Sequence, residues 1–223
     1  MNALSKIVLS LAAAIGLFAA AAAHASEPGS VLAHATATVE DLRHDKLFGD
    51  ARHDLVHARA ILIVPQLVKA GLIFGGEGGD GVLLARTGHG FSAPAFYTLT
   101  SASFGLQIGV EQAQLVMFIM SDRALRAVER SKFKIGAGAG LTVVTLGAGA
   151  EGATSGNLSG DIIVWSRAKG AYGGVTLNGS IVDPDGDTNR SFYGRGASVE
   201  DILSGGVSNP RADELRAALR DAL

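Results

Sequence analysis

Cysteine is absent from this 223-residue chain. Disulfides, thiolate metal sites and the lipid-modified cysteine of a bacterial lipoprotein are therefore excluded, and any attachment to a membrane is noncovalent. A bias of charge is also lacking: 19 Lys+Arg stand against 21 Asp+Glu, for a net charge of −2, without long runs of one sign. Such a surface lacks the basic footprint of a nonspecific nucleic-acid binder, and it cannot hold an anionic membrane by bulk electrostatics. No Gly-x-Ser-x-Gly elbow occurs, the serines have no recognisable partnership with His and Asp, and no repeat of fixed period emerges. Enzymatic activity thus has no positive support in the sequence.

The one long apolar stretch, residues 7–23, is alanine-rich and shorter than a typical membrane span. Lys6 precedes it, and Ala23-His24-Ala25 follows as a small-x-small pattern before Ser26, so residues 1–25 read as a secretory signal peptide. The mature chain is expected to begin at Ser26, in the periplasm or cell envelope of a bacterium. With Lys6 removed, 18 Lys+Arg remain against 21 Asp+Glu, a net charge of −3 on 198 residues. That length suits one domain with a sizeable core.

Helical spacing of Val31, Ala35, Val39 and Leu42 predicts a helix over 31–45, and a second over 51–58 with Asp50 as its cap. From residue 59 the pattern changes to short apolar runs broken by Gly and Pro. Runs 60–64, 67–74, 81–85, 95–99, 104–110 and 115–120 read as strands, the last apolar on both faces and so covered on both. Ser121 opens a helix over 122–130 with Ala124, Leu125 and Val128 inward. Further strands are expected at 141–146, 161–166 and 171–181, a small helix from Ser198 to Leu203, and a C-terminal helix capped by Asn209-Pro210. The expected fold class is α+β, mainly antiparallel β: a single barrel-like or strongly curved sheet with helices at the N- and C-termini. Along the chain this divides into the signal peptide 1–25, a helical segment 26–58, a β-rich core 59–205 and a C-terminal helix 206–223.

Three motifs imitate chemistry. His53 and His57 lie one helical turn apart and resemble HExxH with Asp54 for Glu, but the only later histidine is His89, in an expected turn between Gly88 and Gly90. Two solvated histidines are the favoured reading, with a metal-dependent hydrolase as a remote alternative. Residues 147–152 satisfy GxGxxG, yet no amphipathic helix follows to face a pyrophosphate. Residues 183–189 (DPDGDTN) begin like a calcium loop but have Thr188 and Gly194 where Gly and Glu are needed, so a hydrated turn between two β segments is expected. No metal and no cofactor is expected.

The most informative stretch is KAGLIFGGEGGDG, from Lys69 to Gly81, in which five glycines fall within seven residues. Glycine at that density implies backbone conformations or close approaches closed to other residues. Together with GLQIGVE at 105–111, KGAYGGVTLNGS at 169–180, FYG at 192–194 and ILSG at 202–205, it resembles the SYLF domain family over residues 38–205, specifically bacterial exported members. The resemblance implies a lipid- and membrane-binding module rather than an enzyme. The basic N-terminal region linked to phosphoinositide binding in eukaryotic members is matched here by Arg43, Lys46 and Arg52 against Glu40, Asp41, Asp45 and Asp50, which nearly cancel. General phospholipid or another apolar ligand is therefore the expectation, and actin association is not expected of an exported chain.

The cations Lys69, Lys132, Lys134, Arg167 and Lys169 abut Leu67, Phe133, Ile135, Trp165 and Tyr172. Amphipathic neighbours of this kind suit a ring at headgroup depth beside an ammonium that meets phosphate. The expected lipid-binding set is thus Lys69, Lys132, Phe133, Lys134, Trp165, Arg167, Lys169 and Tyr172, with a phospholipid or membrane surface as partner. A transmembrane β-barrel is the alternative, against which stands the polar C-terminal helix RADELRAALRDAL.

Overall fold

The computed structural model describes residues 26–45, 48–71, 74–104, 109–130, 132–135, 143–146, 160–169, 177 and 179–223. Among the described residues two helices come first, α1 (Pro28–Arg43) and α2 (Phe48–His57). Pro28 sits in the first turn of α1, where its missing N–H is no loss, and the Glu27 carboxylate accepts from Ser30 N. Asp50 lies inside α2 instead of capping it.

The strands are β1 (Ala60–Gly71), β2 (Phe74–Thr87), β3 (Gly90–Phe91), β4 (Ala95–Phe104), β5 (Gly109–Ile119), β6 (Phe133–Lys134), β7 (Val143–Leu146), β8 (Ile162–Lys169) and β9 (Ile181–Pro184). They form one sheet in the order β6-β9-β4-β2-β1-β5-β8-β7, with β3 paired to β2. Every pairing is antiparallel except β7 with β8. The sheet is curled into a half-barrel with helices at both ends of the chain, the α+β architecture expected from the sequence. Helix α3 (Asp122–Arg130) follows β5, and its Ser121 cap accepts from Ala124 N at 3.1 Å. The last elements are α4 (Gly186–Tyr193), α5 (Val199–Leu203), the 3-10 turn Pro210–Ala212 and α6 (Asp213–Asp221).

Strand alternation splits the core into two layers. On the first face, Phe96, Val82, Ile63, Val116 and Trp165 form one register row across β4, β2, β1, β5 and β8. That row packs under Val31, Ala35, Val39, Leu42, Leu55, Leu215 and Leu219 of α1, α2 and α6. On the second face, Leu62, Leu83, Tyr97, Leu115, Met117 and Val164 pack with Ala124 and Val128 of α3, Ile202 and Leu203 of α5, and Phe133. Burial pushes the Tyr97 phenol upward, with the nearby Glu129 and Asp183 charges adding to it, and the neutral hydroxyl donates to Val128 O at 3.2 Å.

The glycine cluster departs from its expected place. It lies inside β2 and not between two strands: all five glycines pair with β4, and Gly75, Gly76 and Gly78 pair with β1 as well. The run 60–64 and the part 67–71 of the run 67–74 are one strand, β1, in which the register shifts between Val64 and Leu67, while Phe74 already belongs to β2. Pro65 offers no N–H to the ladder, and a bulge is what such a residue makes of a strand. The bulged backbone presses on β2: a Cβ at Gly79 would lie 2.4 Å from Gln66 O, and one at Gly81 would lie 2.6 Å from Ile63 O. These glycines serve close approach, not left-handed geometry; among the described residues positive φ occurs at Gly90, Gly179, Gly194 and Gly205. A bulge seated against glycines lets the sheet bend sharply there.

A second departure concerns 183–189. This segment closes β9 and starts α4, with Asp185 as the cap accepting from Thr188 N at 2.9 Å. Acid at the N-cap and at Asp187 in the first turn suits a helix start, and those same residues also suit a turn. Asn189 fixes the choice: its buried amide exchanges two hydrogen bonds with Phe96, accepting from N at 2.8 Å and donating to O at 3.0 Å. Parts of the expected strands 104–110, 141–146 and 171–181, and the GxGxxG run 147–152, lie outside the described residues.

Candidate functional site

The helices cover only part of the first face. Beyond the apolar row comes a polar belt. Asp183, Thr98 and Asp80 are neighbours across β9, β4 and β2, and Gln114 and Arg167 are neighbours across β5 and β8. Each acidic group of the belt is engaged. Lys132 Nζ lies 3.1 Å from Asp183 Oδ2, and Ser26 N donates to Asp80 Oδ2 at 3.1 Å. Asp41 of α1 accepts from Gln114 Nε2 at 2.7 Å and pairs with Arg167 at 3.4 Å.

One step further along every strand lies a second continuous row: Lys134, Ile181, Thr100, Gly78, Val68, Gln112 and Lys169. Lys134, Ile181, Thr100, Val68 and Gln112 are exposed. A Cβ at Gly78 would meet nothing nearer than Leu99 O at 3.9 Å, so the centre of the row is open. Three large apolar side chains are exposed among the described residues, Val56, Val68 and Ile181. Two of the three, Val68 and Ile181, stand on this one row, and a lysine occupies the register position at each end. Six strand spacings separate β6 from β8, about 29 Å along the sheet. Chemically the row sets two exposed apolar side chains, Val68 and Ile181, among Thr100 and Gln112, with Lys134 at one end and the register position of Lys169 at the other.

The lipid-binding set expected from sequence does not assemble as one group. Lys132, Phe133 and Lys134 sit on or beside the edge strand β6, whereas Trp165, Arg167 and Lys169 belong to β8, with five strands between. Phe133 is 6% exposed in the second-face core and Trp165 is 1% exposed in the first-face core, so neither ring is free to enter a membrane and they face opposite ways. Strand alternation turns Phe133 inward beside Lys134, whereas Trp165 shares the first face with Arg167 and is buried because the helices cover its row and not the belt beyond. Lys132 and Arg167 are held by Asp183 and Asp41. Lys69 occupies the register position between Glu77 and Glu111, one residue out of phase with Val68 and so not on that row. Tyr172 lies outside the described residues. Of the expected set, Lys134 and Lys169 fall on the exposed row.

Val68, Thr100, Gln112 and Ile181 escaped the sequence reading. A period of two through 175–181 would group Ile181 with Leu177, which is buried in the second-face core, so no signal in the sequence marked Ile181 as exposed; Val68 required knowledge of the bulge at Pro65. His53 and His57 stack on the exposed side of α2 with ring centroids 4.4 Å apart, and His57 Nδ1 donates to His53 O at 2.7 Å. Among the described residues no group of three or more His, Cys, Asp or Glu is placed to hold a metal ion.

A family profile described as Ysc84, Las17-binding protein actin regulator, matches residues 100–222. The chain belongs to the Ysc84 family. It is 34% identical over 162 residues to Protein YSC84 of Saccharomyces cerevisiae, covering 71% of this chain and 34% of that protein. Against SH3 domain-containing YSC84-like protein 1 of Homo sapiens it is 30% identical over 164 residues, covering 73% of this chain and 48% of that protein. LAS seventeen-binding protein 3 of Saccharomyces cerevisiae is 31% identical over 162 residues, which span 71% of this chain and 35% of that protein. This Ysc84-family chain therefore spans between about a third and a half of the length of these curated relatives. The family resemblance expected from the glycine-rich motifs is in this way shown. The profile takes in the helix α3, strands β6 to β9 and the helices that follow them, and it includes Thr100, Gln112, Lys134, Lys169 and Ile181 of the exposed row.

Proposed function

We propose that this Ysc84-family chain is a noncatalytic lipid-binding protein, exported to a bacterial cell envelope, that docks on phospholipid headgroups through the exposed row of its sheet. The observation that carries the reading is the coincidence of Val68 and Ile181 with lysine positions at both ends of one uncovered row. Apolar side chains at the headgroup boundary gain by burial, and each cation at an anionic surface adds about 1 kcal/mol. The chain as a whole is acidic, so attraction must be local to the row, and the neighbouring carboxylates Asp183 and Asp41 are already paired. Helices packed on both faces argue against a membrane-spanning barrel, which would need an unbroken apolar outer band. The signal-peptide pattern of residues 1–25 supports export. Relatives are named for LAS seventeen binding and for an SH3 domain; a protein partner on the same row is the competing reading.

Co-sedimentation with vesicles tests it. The mature protein should bind vesicles containing phosphatidylglycerol, weaken as salt rises because exposed cations are screened, and retain a salt-resistant remainder from Val68 and Ile181. Equal failure to bind anionic and zwitterionic vesicles at low salt would remove lipid as the ligand.

A further inference from the structure

The first described residue is already tied to the fold. Ser26 N donates to Asp80 Oδ2 across 54 residues of sequence, while Glu27 caps α1 and accepts from Arg211 Nη2 at 3.1 Å. Asp80 stands in the polar belt, on β2 between the helix-covered row and the exposed row. The nitrogen that meets this carboxylate is the atom that leader cleavage would free. In the uncleaved chain it is an amide N–H; hydrolysis of the Ala25–Ser26 bond puts the water's hydroxyl on the Ala25 carbonyl, and the Ser26 nitrogen, taking up protons, becomes an ammonium.

We infer that Ala25–Ser26 is a processing site whose new α-ammonium is a structural group of the mature domain, closing an ion pair with Asp80 that completes the neutralised belt behind the exposed row. An α-amino group is largely protonated at neutral pH, and a charged donor on a carboxylate makes a stronger bond than an amide does. The contact needs no rearrangement, since the atoms already lie 3.1 Å apart. With Lys132 on Asp183 and Arg167 on Asp41, the third carboxylate site of the belt gains its cation by proteolysis instead of from a side chain. The inference rests on the export reading, and stability reports it independently of lipid.

The test is a cycle of four proteins: the chain beginning at Ser26 and the chain retaining Ala25, each with and without Asp80→Asn. Asp80→Asn should lower Tm by about 2 °C when Ser26 is the first residue and by less than about 1 °C when Ala25 is retained, since a surface ion pair in a domain of this size is worth that much. Equal shifts in the two backgrounds, or none in the chain beginning at Ser26, would overturn the ion pair. Intact mass of the full chain exported from its own leader should correspond to a Ser26 start, and any other N-terminus would overturn the processing site.

Discussion

Gly79→Ala should destabilise the domain by about 3 kcal/mol, at the upper end of what overpacking costs, and for a domain of this size lower Tm by roughly 6–12 °C. A Cβ there would sit 2.4 Å from Gln66 O and 3.2 Å from Gln66 C, both backbone atoms that cannot swing aside, and 3.0 Å from Val64 Cγ1. Relief requires moving the bulge of β1, which would disturb its pairing with both β2 and β5. The adjacent Gly78→Ala is the control. Its Cβ would point to the open side, 3.9 Å from Leu99 O, and should change stability by no more than about 0.5 kcal/mol. Urea melts of the two variants beside the parent decide the matter: equal midpoints would mean that the bulge does not rest on Gly79.

Lys134→Glu with Lys169→Glu should reduce partitioning onto vesicles rich in phosphatidylglycerol by about three orders of magnitude at low salt. Each substitution removes about 1 kcal/mol of attraction and adds a similar repulsion, so the pair changes binding by about 4 kcal/mol. Both positions lie at the ends of the exposed row, opposite Ile181 and Gln112, and Lys134 is exposed. Lys132→Glu should do less, because Lys132 stands with Asp183 in the belt. Unchanged sedimentation of the double variant, with circular dichroism unchanged, would separate the lysines from the ligand surface.

What was legible in the sequence was local. The helix over 122–130 is found at Asp122–Arg130, and the run 115–120, apolar on both faces, is the end of β5, where Val116 and Phe118 face one core and Leu115 and Met117 the other. Ser198 opens α5 with a reciprocal capping box to Asp201, as its position before Val199 and Glu200 suggested. The helix α4 was missed because an aspartate-rich start serves a turn and a helix equally, and the deciding contact, Asn189 to Phe96, spans 93 residues. The exposed row was missed for the same kind of reason. Its members come from seven strands, and the bulge at Pro65 and Gln66 changes the phase that places Val68 outward. Grouping cations by their sequence neighbours instead gathered Phe133, which the pleat turns into the second-face core, and Trp165, which the helices cover on the first face.

Because the chain contains no cysteine, a single introduced thiol can be labelled without interference, and this gives the most direct test of lipid docking through the row. Val68→Cys and Ile181→Cys carry an environment-sensitive fluorophore on the exposed row, and Val56→Cys carries it on α2, exposed but away from the row. On addition of phosphatidylglycerol vesicles the labels at 68 and 181 should shift to shorter wavelength and brighten, while the label at 56 stays as in buffer. If the label at 56 responds and those at 68 and 181 do not, although the protein sediments with the vesicles, the exposed row is not the membrane-facing surface.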